Sequence, residues 1–187
     1  MTSLSLSHAE EAPQPVTADL FRSVFRDHPA RVVVVTAPGD PAPAGFTATS
    51  LTSVSLEPPM VSFAVARSAS AWATVSRAQR LAVHLLACDQ DWLARTFATS
   101  GIDRFAGVRW QPAREGEPLI EDCAAYLCCR VVQQVPAGDH VVVLARVTEA
   151  RVGASGDPLV YHAGSYATVE PLEREAPRRK PLRSVAP

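Results

Sequence analysis

Apolar and polar residues alternate, or apolar residues run together, in short segments through most of the chain. These segments are rich in Val and Thr and end at Gly, Pro or Asp, which is typical of β-strands. The pattern therefore predicts a mostly β protein with a few helices. Strands are expected at 31–37, 45–56, 60–66, 81–87, 124–135 and 140–152, with a last pair within 158–169.

A short amphipathic helix is predicted before the first strand. It begins after Thr17, a suitable N-cap, and is expected to end before Pro29 because proline disfavours helical conformation in the residue that precedes it. Its apolar residues lie on one face and are Leu20, Phe21, Val24 and Phe25.

Two further segments have helical spacing and suitable N-caps. They are 68–79, with Ser68 or Ser70 as the cap, and 89–100, with Asp89 as the cap.

The connections between these elements favour one architecture. Long strands joined by short turns, with isolated helices between them, indicate a closed or nearly closed antiparallel β-barrel rather than a βαβ sheet. No GxGxxG motif follows a strand and no GxxxxGK[ST] motif occurs. Any nucleotide must therefore be bound by chemistry other than that of the Rossmann fold or the P-loop.

Composition and charge limit the class of protein. With 187 residues, of which 47% are hydrophobic and 20% charged, the chain is expected to form one folded domain at 17–170. Segment 1–16 and the Pro- and Arg-rich segment 171–187 are expected to be disordered. A net charge of -1 provides no overall electrostatic attraction for nucleic acid. Neither a secretory signal nor a membrane-spanning segment is visible in the sequence. A cytoplasmic protein without nucleic-acid or membrane partners is expected.

The cysteines form neither a CxxC pair nor a disulfide framework. They are interpreted as reduced, buried, small apolar residues, and no metal site is expected. They are Cys88, Cys123, Cys128 and Cys129.

Hydroxyl side chains interrupt the apolar residues of the predicted strand 45–56. They can form a solvated strand face, or they can offer donors and acceptors to a planar heterocycle and its polyol chain. The spacing alone does not decide between these interpretations. The hydroxyl residues are Thr47, Thr49, Ser50, Thr52, Ser53 and Ser55.

Two other segments carry candidate binding groups. Arg67 precedes Ser68 and Ser70 at a predicted helix start, where unpaired N–H groups favour a phosphate. The same serines can equally be simple N-caps. His140 follows a Gly-Asp turn at the start of a predicted strand, and is either an exposed turn residue or a functional group.

Several segments, in order along the chain, resemble the flavin reductase-like FMN-binding split-barrel family from about Phe21 to Tyr166. This resemblance implies a split antiparallel β-barrel that forms a homodimer, with flavin at or near the subunit interface. Many family members supply reduced flavin to a partner monooxygenase. The segments are FRSVFRDHPARVVVVTA, GFTATSLTSVSLEPPMVSFAV, RSASAW, LAVHLLACDQDWLARTFATSGIDRFAGVRW, GEPLIEDCAAYLCCRV, PAGDHVVVLARV and DPLVYHAGSY.

The resemblance also implies roles for individual residues. Residues of the hydroxyl-rich strand line the isoalloxazine and ribityl chain, a second group holds the flavin phosphate, and a third lies near the flavin and the dimer contact. His140 lies beside the nicotinamide and is the candidate catalytic residue, with a closing motif near the same cleft. The residues that line the flavin are Thr47, Ala48, Thr49 and Ser50, with Ser53 close behind, and those at the phosphate are Arg67, Ser68 and Ser70. The residues near the flavin and the dimer contact are Phe97, Arg104 and Phe105. The closing motif consists of Tyr161, His162 and Gly164.

Two positions depart from the family pattern. Arg31 stands where the family often has glycine, and its positive charge can meet a phosphate. His84 stands where the family often has asparagine, and a hydrogen-bonded core histidine is the favoured interpretation.

The function implied is transfer of a hydride from NADH or NADPH to FMN or FAD, with reduced flavin passed to a partner monooxygenase. The protein then mainly binds and orients, because the flavin performs the chemistry. A non-catalytic flavin-binding electron carrier or sensor on the same fold is the alternative. A Ser/His hydrolase is disfavoured because no GxSxG motif occurs.

Overall fold

A computed structural model describes residues 15–153 and 156–171 of the chain. The two segments for which disorder is expected, 1–16 and 171–187, lie outside these ranges except for residues 15, 16 and 171. Most of the regular structure is antiparallel β-strand, which confirms the predicted mostly β fold. No helix in the described ranges is long and apolar enough to cross a membrane.

The elements follow one another with short connections. The helices are α1 (Ala18–Arg26), α2 (Trp72–Val75) and α3 (Asp91–Ala98), the last preceded by a 3-10 turn at Cys88–Gln90. The strands are β1 (Ala30–Arg31), β2 (Val33–Ala37), β3 (Ala44–Ala48), β4 (Thr52–Leu56), β5 (Pro59–Ala66), β6 (Arg80–Leu85), β7 (Trp110–Pro112), β8 (Pro118–Ile120), β9 (Ala125–Ala137), β10 (His140–Val152), β11 (Val160–His162) and β12 (Ser165–Ala167).

Seven strands form one antiparallel sheet in the order β3-β2-β6-β9-β10-β5-β4. Its two edge strands, β3 and β4, follow one another in the chain and are joined only by residues 49–51, called the seam below. A connection of this length spans at most about 14 Å, so the two edges must lie close together. The sheet therefore curls into a barrel that is split at the seam, as predicted.

The longest strands, β9 and β10, form a hairpin that positions His140. Ala137 pairs with His140, so the loop consists of Gly138 and Asp139 alone. Gly138 has a φ of 63°, a conformation that glycine adopts without strain and that tight hairpins require. His140 consequently occupies the first position of β10, opposite Ala66 at the end of β5.

Buried apolar side chains form two groups, and β2 contributes to both because successive strand residues point to opposite faces. One group fills the barrel and the other packs between the barrel wall and α3. The first includes Val33, Val35, Phe46, Phe63, Val65, Leu81, Val83 and Val143; the second includes Val32, Val34, Leu86, Leu93, Phe97 and Leu159.

His84 is a core residue, which confirms the favoured interpretation. It is fully buried; its Nδ1 lies 3.1 Å from the carbonyl oxygen of Val34, and its Nε2 accepts the Ile120 N–H at 3.1 Å. Burial lowers its pKa to about 4, although the hydrogen bond to Val34 opposes the shift. The neutral imidazole therefore joins β2, β6 and β8.

Several predicted elements differ from the structure. The expected strand 45–56 breaks at the seam, because there the chain crosses from one edge of the barrel to the other. The expected helix 68–79 shrinks to the single turn α2, whose N-cap is Ala71 without a side-chain hydrogen bond. The predicted caps Ser68 and Ser70 were therefore wrong. The predicted cap Asp89 was wrong as well, because Gln90 is the N-cap of α3.

The buried-thiol interpretation is confirmed for Cys123, Cys128 and Cys129 and is wrong for Cys88, which is exposed in the 3-10 turn. Burial raises the pKa of Cys123 and Cys129 to about 12 and that of Cys128 to about 11. These three thiols stay protonated and are poor nucleophiles. In the described ranges, no group of His, Cys, Asp or Glu is placed to hold a metal ion.

Candidate functional site

Two clefts meet at the seam. The inner cleft, of about 380 Å³, lies between β3, β5, the end of α3 and His140. The outer cleft, of about 1110 Å³, lies between α1, Arg31, the seam and the β11–β12 turn. Thr49 and Ser50 line both clefts, so the two spaces are adjacent.

The inner cleft brings together residues from separate parts of the chain. Eight of the predicted site residues line it, and its volume lies within the range of small-molecule sites, about 300–1,000 Å³. They are Thr47, Ala48, Thr49, Ser50, Ser70, Phe97, Arg104 and His140.

The hydroxyl groups of the inner cleft have different environments. The Thr47 hydroxyl donates to the carbonyl of Ala94 at 2.6 Å, which ties β3 to α3. The Ser50 hydroxyl accepts the backbone N–H of Ala64 at 2.8 Å, which ties the seam to β5. Thr49 is exposed, and within the described chain its hydroxyl makes no hydrogen bond. Thr49 is thus the hydroxyl of this group best placed to meet a ligand.

Arg104 holds three parts of the cleft wall together. Its guanidinium donates to the carbonyls of Thr99 at 2.8 Å and Gly45 at 2.7 Å, and to the hydroxyl of Ser70 at 3.0 Å. Partial burial lowers its pKa, but an arginine remains charged at neutral pH. The side chain therefore places a fixed positive charge in the cleft.

Phe97 provides an apolar wall. It is fully buried and makes an edge-to-face contact with Phe105, with ring centroids 5.2 Å apart. A Cβ at Gly45 would lie 2.5 Å from the Phe97 ring, so only glycine allows α3 to approach β3 this closely. Phe105 packs behind Phe97, contacts Trp110 and does not line the inner cleft.

His140 is paired with its neighbour Asp139. Its Nδ1 lies 2.7 Å from Asp139 Oδ1, and the hydrogen bond to His140 lowers the pKa of Asp139. An ionised carboxylate only accepts, so Nδ1 carries the proton and, in the neutral imidazole, Nε2 is left as an acceptor. Asp139 was not predicted as a site residue, although its position beside His140 in the sequence was the available signal.

The remaining predicted residues lie around the two clefts. Tyr161 and Gly164 line the outer cleft, whereas His162 is exposed on the same hairpin. Ser53 is exposed on the edge strand β4. Arg67 and Ser68 are exposed in the turn after β5, where the Arg67 N–H donates to the Asp139 carbonyl at 3.0 Å.

Comparison with known proteins gives a consistent result. A family model described as "Flavin reductase like domain" matches residues 25–170. The chain is 42% identical over 164 residues to an NADH:FMN oxidoreductase of Rhodococcus qingshengii, covering 84% of each chain. It is 36% identical over 158 residues to the reductase component of a 4-nitrophenol 4-monooxygenase/4-nitrocatechol 2-monooxygenase of Rhodococcus opacus, again covering 84% of each.

A solved structure supports the same assignment. The crystal structure of a flavin reductase domain protein from Arthrobacter sp. FB24 matches with a TM-score of 0.81 and 35% identity, covering 84% of this chain and 99% of that one. The predicted split barrel and the predicted enzyme class are thereby confirmed. The chain belongs to the flavin reductase-like domain family.

Proposed function

We propose that this chain transfers a hydride from NADH or NADPH to FMN or FAD in the inner cleft and supplies the reduced flavin to a partner monooxygenase. The observation that carries the proposal is the assembly, in one cleft, of seam hydroxyls, the Arg104 cation and the Asp139–His140 pair. The relatives named as an NADH:FMN oxidoreductase and as a monooxygenase reductase component support it.

The inner cleft has the chemistry that a flavin needs. Phe97 forms the buried apolar base beneath the cleft, and residues 47–50 offer backbone groups and hydroxyls along the edge of the cleft. Arg104 and the backbone N–H groups favour negative charge that develops during reduction. When bound, the flavin supplies the hydride acceptor.

His140 orients the nicotinamide rather than transferring a proton. Because Asp139 accepts a hydrogen bond from Nδ1–H, Nε2 can accept one hydrogen bond from the carboxamide or the ribose. Arg67, Ser68 and Ser70 hold the flavin phosphate, since Ser70 lines the cleft and Arg67 precedes it in the same turn. The surroundings of the cofactors are formed by the other predicted residues, which are Ser53, Phe105, Tyr161, His162 and Gly164.

The active form is a homodimer in the cytoplasm. All residues of α1 are exposed, including Leu20 and Val24 on the side of the helix that does not line the outer cleft. Leu56 on the edge strand β4 is 83% exposed as well. Burial of apolar surface of this kind stabilises an assembly, and a second copy of the chain buries it at the dimer interface.

The test is NADH and NADPH oxidation by the purified protein with FMN and with FAD. Turnover that requires both a nicotinamide and a flavin is expected. Flavin binding without nicotinamide oxidation would favour the carrier or sensor function instead, and neither binding nor turnover would refute both. Light scattering at micromolar concentration should give twice the chain mass, and a monomer with full flavin affinity would contradict the homodimer.

A further inference from the structure

Glu117, the residue before β8, carries a buried carboxylate with one oxygen unused. Its side chain is 1% exposed, and its Oε1 accepts a hydrogen bond from the Arg80 guanidinium at 3.4 Å. In the described part of the chain, Glu117 Oε2 is the one buried side-chain nitrogen or oxygen atom without a hydrogen-bond partner. Such atoms are rare in folded proteins, because burying a charged acceptor without a donor costs free energy. A donor from outside the described chain would satisfy this oxygen.

Arg80 does not neutralise the carboxylates around it. Its Nη2 pairs with Glu115 Oε2 at 3.0 Å, so one guanidinium serves two carboxylates. The backbone at Glu117 is held in place as well, because its carbonyl accepts the N–H of Ala113 at 2.7 Å. Glu115, Glu117 and Arg80 together therefore keep one negative charge at a fixed position.

A pocket of about 240 Å³, called the Glu117 pocket below, lies between the start of β6, β9, β10 and the turn that joins β7 to β8. None of its lining residues lines the inner or the outer cleft. Its volume is below the range of about 300–1,000 Å³ that drug-sized ligands need, so its occupant must be small. The charged side chains that line it have a net charge of -1 and are Arg80, Arg114, Glu115, Glu117 and Glu149.

The remaining polar groups of the Glu117 pocket are mainly hydrogen-bond acceptors. Glu149 accepts the Tyr126 hydroxyl at 3.0 Å through Oε1, which leaves its second oxygen for another donor. The Thr148 hydroxyl donates to the Cys128 carbonyl at 3.1 Å, so its oxygen can only accept from a ligand. Arg114 is exposed, and solvent screens its charge. A ligand that carries a positive charge and donates hydrogen bonds fits this set.

A primary ammonium ion matches these groups better than a metal ion does. In the described ranges, no group of His, Cys, Asp or Glu is placed to coordinate a metal. A primary ammonium group has three N–H donors, which carboxylate and hydroxyl oxygens can share in charge-assisted hydrogen bonds. The Cys128 thiol is neutral, since burial raises its pKa to about 11, and it offers an apolar contact to a short alkyl chain.

We propose that the Glu117 pocket binds a small primary ammonium ion with one positive charge. The N–H groups of the ion donate to the carboxylates of Glu117 and Glu149 and to the Thr148 hydroxyl, and its alkyl end contacts Cys128. A glutamate carboxyl group turns over a broad range about its last bond, so one oxygen of Glu117 can face the ion while the other keeps Arg80. The pocket is separate from both clefts, and the inference does not depend on the proposed function.

The experiment is a calorimetric titration of the full chain with ethylammonium chloride at constant ionic strength. The buffer is phosphate, because Tris is itself a primary amine. Potassium and tetramethylammonium are the comparison ions, since each carries one positive charge and has no N–H donor. Saturable binding of ethylammonium is expected, with a Kd of about 1 mM or weaker for so small a ligand. No binding of ethylammonium, or binding of either comparison ion with the same affinity, would overturn the inference.

Two variants test whether the ion binds in this pocket. Glu117→Gln keeps the shape of the side chain and removes its charge, and Glu149→Gln does the same at an exposed position that folding does not require. Each should raise the Kd for ethylammonium about tenfold, as expected for loss of a charge-assisted hydrogen bond. The matched control Glu57→Gln removes an exposed carboxylate that does not line the pocket and should bind as the wild type does. Equal affinity in all of these proteins would contradict the proposal.

Thermal unfolding separates this role from a purely structural ion pair between Glu117 and Arg80. Ethylammonium should raise the Tm of the wild type and of Glu57→Gln and leave that of Glu117→Gln unchanged. If the wild-type Tm does not respond to ethylammonium and Glu117→Gln unfolds at a lower temperature, Glu117 only pairs with Arg80 and the inference is refuted. Flavin reduction is not the readout, so failure of the proposed function and failure of this inference are distinguishable.

Discussion

Replacing His140 with alanine removes an imidazole from the inner cleft and leaves residues 47–50 and Arg104, the proposed flavin-binding residues, in place. We expect normal flavin affinity and impaired use of NADH or NADPH. A single hydrogen bond contributes about 0.5–1.5 kcal/mol, and more when a charged group is involved. Because the His140 side chain is 45% exposed, water replaces part of the lost contact. The expected loss is therefore about 1 kcal/mol, or roughly fivefold in kcat/KM.

The assay is steady-state oxidation of NADH and NADPH beside a flavin titration of the same variant. Reduction of bound flavin by dithionite, which needs no nicotinamide site, should be unaffected. Arg146→Ala on the same strand serves as the control and should behave as the wild type. Unchanged kinetics of His140→Ala would refute the role of this residue, and an equal loss of flavin affinity would move it to the flavin site.

Asp139→Asn tests the geometry behind the same prediction. The neutral amide can accept from Nδ1–H through its oxygen or donate to Nδ1 through its NH2, so it no longer enforces the tautomer with the proton on Nδ1. We expect a loss in kcat/KM no larger than that of His140→Ala, with the His140 ring still present. Activity equal to that of the wild type would show that the Asp139 carboxylate is not needed to orient His140.

Three other results are expected from separate features. Gly45→Ala should lower the free energy of unfolding by about 1–3 kcal/mol in denaturant titrations, because the new Cβ would lie 2.5 Å from the Phe97 ring; an unchanged midpoint would contradict this packing. His84 has a pKa of about 4 in the folded protein, against about 6.5 for a solvent-exposed histidine in the unfolded chain, so the unfolded chain binds its proton first as the pH falls. Stability should therefore fall by up to about 3 kcal/mol between pH 6.5 and 4 and then level off, with a smaller slope in His84→Asn. Arg67→Ala should weaken FMN severalfold and leave riboflavin unchanged in fluorescence titrations, and equal losses would place Arg67 away from the phosphate.

The strands could be predicted because their signal is local. In β2, β5 and β10 the alternation or continuous run of Val, Ala and Phe is visible in the sequence, and β-branched and apolar side chains in these patterns favour an extended, buried segment. Short strands such as β7 and β8 were missed because three residues carry no recognisable period. The length of helix α2 was overestimated because Ser70, which has a suitable side chain for an N-cap, accepts a hydrogen bond from Arg104 instead.

The candidate site was found mainly through resemblance, since the individual motifs left simpler interpretations open. The resemblance placed Thr47 to Ser50, Ser70, Arg104 and His140 together, and the structure brings them to one cleft. It provided no partner for His140 and no neighbours for Arg31, because both depend on side-chain positions around the barrel end.

The mostly β class, the short helix α1 and the hydroxyl-rich run around the seam could all be predicted, because each of these follows from residues close together in the chain. Closure of the sheet at residues 49–51, the hydrogen bond of Thr47 to Ala94 and that of Ser50 to Ala64 became visible in the folded protein alone. These hydrogen bonds and the two clefts exist only after distant strands become neighbours. Local propensity carries no information about which strands those are.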